Sequence, residues 1–266
     1  MIFFPIIELH QLVGWTSLNS FPPNNWEIKN SDKYYVYLLF IENDQWKSKL
    51  ICSLKNYENF YYDQIEVKKN TNSKSIKILC LSKNKINDYN DILPFIDFQT
   101  TSLPTWRASI GLKNLTNSSS YQGEIIPFGS KSSFLTFAPF IQNHNNNLEN
   151  YLIFSNLERS TKKRIGYMNF SSLSDPNKKL KTVEVHNNYV NIVNLNDIGY
   201  LNESVPLISC NEMAGLPIFV TINKNSNAIS IEHTHPGASF VVHGNRWVAQ
   251  KYLKEIWQNR MQTNET

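Results

Sequence analysis

Residues 150–195, NYLIFSNLERSTKKRIGYMNFSSLSDPNKKLKTVEVHNNYVNIVNL, decide the fold class. Short runs rich in β-branched and aromatic residues, at 150–157, 164–170, 179–186 and 189–195, are separated by turn formers at Asp175-Pro176-Asn177 and Asn187-Asn188. A helix would repeat its apolar positions every three or four residues. The run from Lys181 to Val185 instead alternates, with Val183 and Val185 on one side and Thr182 and Glu184 on the other, which is the two-residue period of a half-buried strand. Strands recurring this regularly between turns point to an antiparallel sandwich.

The same pattern extends upstream. Residues 34–42 are aromatic and β-branched, close on Asn43-Asp44 and are followed by 47–53, the layout of a hairpin; 59–67 and 76–81 continue the series. Sliding the chain along itself by about 132 positions places Lys47 on Lys179, Lys49 on Lys181 and the run beginning at Asn56 on the run beginning at Asn188. The expected architecture is therefore all-β, two tandem sandwiches at 1–102 and 103–244, the second with extra strands, then an amphipathic α-helix and tail at 245–266. That helix would start at the N-cap Asn245 and bury a stripe of Val248, Ala249, Tyr252, Leu253, Ile256 and Trp257.

The segment 151–195 resembles the middle strands of immunoglobulin-like sandwich domains of bacterial proteins. The carriers are an apolar strand ending in Asn156, a Lys-led strand from Lys162, the Lys-x-Val-x-Val strand at 181–185 and a return strand led by Asn187. The resemblance implies two immunoglobulin-like domains and no particular activity.

With 41% hydrophobic and 18% charged residues, the 266-residue chain can bury a core in each half. A net charge of +4, with basic residues dispersed apart from Lys162, Lys163, Arg164 and nearby Lys178, Lys179 and Lys181, lacks the broad footprint of a nucleic-acid binder. The 35 asparagines read as surface filler. Cys52, Cys80 and Cys210 sit in apolar runs, where a free thiol packs as a small hydrophobe, and their spacing makes neither a disulfide framework nor a metal motif. No stretch is apolar enough for a membrane span, and the start lacks the basic segment of a signal peptide; a soluble, cytoplasmic protein is expected.

Chemistry concentrates in one string. His233 and His235 alternate onto one face of a strand, and His243 follows, a set that could hold zinc if a third ligand folds alongside. His-Thr-His-Pro resembles the metal-binding strings of JAMM metalloproteases and of cupins. Gly244 and Trp247 stand where the first family places further ligands, and Ser239 and Phe240 where the second does, so neither activity carries over. Cys210-Asn211-Glu212 reads as a core position rather than a nucleophile, and no phosphate loop or hydrolase elbow occurs in the chain. Trp46 at a hairpin and Trp106 beside Arg107 are candidate flat rings for a glycan or protein ligand. The expected role is a non-enzymatic binding or assembly module with an unknown protein or glycan partner. The alternatives are a metal-binding protein or metalloenzyme at His233, His235 and His243, or a structural component of a particle or surface layer.

Overall fold

A computed structural model describes residues 1–9, 12–20, 33–55, 58–63, 75–89, 92–93, 106–125, 127–129, 133–137, 147–172, 178–198 and 206–233, with the backbone alone at 20, 106, 107, 137 and 206. Sixteen strands occur among them. The first eight are β1 (Ile2–Pro5), β2 (Val13–Ser20), β3 (Lys33–Glu42), β4 (Gln45–Lys55), β5 (Phe60–Asp63), β6 (Ile78–Ser82), β7 (Trp106–Lys113) and β8 (Ser118–Gln122). The second eight are β9 (Phe134–Phe137), β10 (Leu148–Ser155), β11 (Ile165–Ser172), β12 (Lys179–His186), β13 (Val190–Asn194), β14 (Pro206–Cys210), β15 (Leu216–Asn223) and β16 (Ile229–His233). A short 3-10 turn, Leu195–Ile198, follows β13.

These strands form four antiparallel four-stranded sheets, β1-β6-β3-β4, β5-β2-β7-β8, β12-β11-β14-β9 and β13-β10-β15-β16. Adding eight to every label of the first two sheets reproduces the last two, so the second group repeats the wiring of the first strand for strand. Successive strands mostly change sheet, and the hairpin neighbours are β3 with β4 and β7 with β8, then β11 with β12 and β15 with β16. Such crossing between sheets resembles the wiring of a jelly roll, except that β1 lies beside β6 and β8 beside β7. An immunoglobulin-like sandwich would pair its first two strands in one sheet. Here β1 pairs β6 while β2 pairs β5 and β7, so the strands expected from 151–195 are present but connected differently. The expected helix at 245–266 lies outside the described residues.

The sheets also regroup one hairpin later than the 102/103 boundary. β7 runs beside β2 along its whole length, from Val13 against Lys113 to Ser20 against Trp106, and β8 pairs with β7. The first group therefore extends to Gln122 and the second begins with β9.

Register confirms the equivalence in detail. Cys80 faces Phe3 across β1 and β6, and Cys210 faces Phe134 across β9 and β14; all four are fully buried. Lys47 and Lys49 fall on the fourth strand of their group, as do Lys179 and Lys181 of theirs. The β3–β4 hairpin turns on Asn43 and Asp44, at φ 51° and 56°, the left-handed pair that a two-residue hairpin with native twist requires. A contiguous apolar core joins both groups, from Phe3 and Leu39 to Phe154 and Ile218. No helix among the described residues is long and apolar enough to cross a membrane.

Candidate functional site

Among the described residues, the densest buried polar cluster lies where the two sandwiches meet, on the loop 156–164 between β10 and β11 and the turn at Asn187-Asn188 between β12 and β13. A loop brought inside must pair its backbone groups, and asparagine side chains do this because an amide carries both a donor and an acceptor. Asn188 sits at φ 53°, a conformation asparagine tolerates better than most residues. Its Oδ1 accepts from the Glu158 N–H at 2.7 Å, and its Nδ2 donates to the Ser160 carbonyl at 2.7 Å. Asn187 accepts from the Arg164 N–H at 2.7 Å and donates to the Lys162 carbonyl at 2.8 Å. Asn156 donates to the Ala214 carbonyl at 2.6 Å and accepts from the Asn188 N–H at 3.2 Å. All three are buried, in contrast to the filler role expected of asparagine here. Glu158, 4% exposed, accepts from the Arg164 guanidinium at 2.6 Å, and Arg164 also donates to the Glu212 carbonyl at 2.6 Å.

The loop thus fixed grips the first sandwich. The Arg159 carbonyl accepts from Trp46 Nε1 at 3.0 Å and from the Leu93 N–H at 2.9 Å, while Arg159 Nε donates to the Leu93 carbonyl at 2.7 Å. Thr161 Oγ1 donates to the Asp44 carbonyl at 2.7 Å, and the Ile76 N–H donates to the Asn188 carbonyl at 2.8 Å. Each of these contacts joins one sandwich to the other. A second seam runs along the edge strands β8 and β16. The Ile231 N–H donates to Ser119 Oγ at 3.2 Å, and at the hairpin tips Asn114 and Asn117 donate to the Asn227 carbonyl at 2.8 and 3.2 Å. Two open sheet edges therefore cover one another, which removes a site of uncontrolled strand pairing.

Trp46, expected to offer an open ring, is 0% exposed and committed to the Arg159 carbonyl, because the loop 156–164 closes over the tip of its hairpin. It has no face for a ligand. Trp106 and Arg107 lie on β7, but their side chains are outside the described residues. His233 ends β16 beside Ile218 of β15, half-buried, with its ring 4.8 Å from that of Tyr121 on β8. His235 and His243 lie outside the described residues, and among the described residues no three His, Cys, Asp or Glu gather closely enough to hold a metal ion. The matched four-residue loops, 114–117 after Lys113 and 224–227 after Asn223, make Gly123 the counterpart of His233. A uniform offset of 132 would pair His233 with Thr101, which lies outside the described residues.

Burial pushes the Cys80 thiol up to about 12 and the Cys210 thiol to about 11, so both stay protonated at neutral pH. Glu212 beside Cys210 shifts the opposite way. Burial works against its charge, but hydrogen bonds from backbone N–H groups, including that of Tyr167, outweigh it and hold the carboxyl below its usual range. No protein-family model, curated protein or solved structure matches the chain.

Proposed function

We propose that this protein is a building block of a protein shell or surface layer, whose work is done by its shape. The observation that carries the reading is the strand-for-strand duplication of one sandwich within a chain, with both copies locked into one core by the polar bracket and by facing edge strands. Jelly rolls serve as shell walls as well as lectin and enzyme scaffolds, so this step is an analogy of fold. Duplication makes the analogy more specific. A chain with two equivalently wired sandwiches side by side, taken three times around an axis, presents six similar walls, and six-sided blocks tile a surface without gaps. The residues matched between copies, Phe3 with Phe134 and Cys80 with Cys210, are core positions, which supports the duplication on which the reading rests.

Negative-stain electron microscopy of concentrated protein, across a range of salt, tests the proposal. Flat hexagonal arrays or closed particles are expected. Dispersed single chains under every condition would refute it.

A further inference from the structure

The outer face of the sheet β5-β2-β7-β8 carries an aromatic platform on a serine-rich floor. Trp15 of β2 lies directly beside Gly111 of β7 and Asp63 of β5, so all three side-chain positions share that face. Gly111 is what lets the indole lie down. A Cβ there would come within 2.5 Å of Trp15 Cε2 and of the Ser119 carbonyl oxygen, so only a residue without a side chain leaves the ring room across β7. Trp15 Nε1 donates to Ser118 Oγ at 3.0 Å, which fixes the ring. Tyr61 of β5 stacks against it with centroids 5.8 Å apart and planes inclined by 26°, and Tyr61 remains 54% exposed.

The fringe is ordered and carries both donor and acceptor. Lys113 Nζ donates to Asp63 Oδ2 at 2.6 Å and to Tyr61 Oη at 3.2 Å, and lies 5.4 Å from the Tyr61 ring centre. Register places Ser17, Ser109, Ser118, Ser120 and Gln122 on the same face. An aromatic pair serving only the fold would normally be turned inward or covered. Here two inclined rings are held outward, with an ammonium, a carboxylate and hydroxyls around them.

We propose that this platform binds a neutral hexopyranose unit of a glycan. One face of such a sugar is a patch of C–H bonds that packs on π-surface, and its rim of hydroxyls both donates and accepts. Asp63 would accept from vicinal hydroxyls, and Lys113 and the serines would donate. A stacked nucleotide fits less well, because Lys113 is paired with Asp63 and the two together offer a phosphate no net positive charge.

The test is a printed array of neutral oligosaccharides probed with the full-length protein, followed by titration of the best binder through tryptophan fluorescence. Saturable binding is expected, falling at least tenfold in Tyr61→Ala and in Asp63→Asn. Tyr61→Ala removes a half-exposed ring, and its thermal melt, recorded alongside, separates loss of the site from loss of fold; if that variant does not fold, Asp63→Asn decides. An array without a bound neutral glycan, or equal affinity in every folded variant, overturns the proposal, as does preferential binding of a mononucleotide.

Discussion

Replacing Asn188 by Ala isolates what the buried asparagines do. The side chain bonds the Glu158 N–H and the Ser160 carbonyl, each at 2.7 Å, from a position 3% exposed. Alanine leaves both partners without it inside the seam, at about 1 to 3 kcal/mol for each buried unsatisfied group. At φ 53° alanine adds backbone strain of roughly 1 kcal/mol that asparagine largely avoids. The sum is a loss of about 3 to 5 kcal/mol, taking the lower half of the hydrogen-bond range because water can enter a loosened loop. Asn188→Gly loses the same bonds without the strain and should lie roughly 1 kcal/mol closer to the parent. Asn225→Ala, on an exposed tip, should stay within about 0.5 kcal/mol. Urea unfolding followed by tryptophan fluorescence measures all three, with an unchanged m-value showing that the same surface is exposed on unfolding. An Asn188→Ala protein as stable as Asn225→Ala would refute the bracket.

Arg164→Ala strands Glu158 in the seam and should cost roughly 3 to 5 kcal/mol; adding Glu158→Gln should recover part of that, measured by the same unfolding curves. Because burial raises the thiols of Cys80 and Cys210, iodoacetamide at pH 8 should leave both unmodified in the native protein and label them once urea unfolds it, as read by mass spectrometry. Elemental analysis of untagged protein tests the zinc reading of His233, His235 and His243. Stoichiometric zinc that disappears in the His233→Ala, His235→Ala double variant would support it, and metal-free protein would end it.

The strands were readable because alternation is local. Lys179–His186 places Val183 and Val185 on one side, and the Asn43-Asp44 turn declares its hairpin. Wiring was not readable, since β1 finds β6 and β2 finds β7 across long stretches of chain, and immunoglobulin-like and jelly-roll sandwiches share the same strand signal. The regrouping after Gln122 is not legible because β8 reads SSSYQ, a polar run in which Tyr121 alone is buried. The burial of Trp46 is hidden for the converse reason, since at the tip of a hairpin it depends on a loop more than a hundred residues away. The Trp15 platform did leave a trace. In Val13–Ser20 alternation sends Thr16 and Leu18 inward and so turns Trp15 outward, but its neighbour Gly111 is visible only once β2 and β7 are paired.

If duplication within the chain serves assembly around a threefold axis, as proposed, the smallest stable species holds three chains. Sedimentation velocity over a broad range of protein concentration measures the smallest stable species directly. A three-chain species that persists on dilution, with larger assemblies growing from it, is the predicted result. A single chain at every concentration, with no higher species, would contradict it.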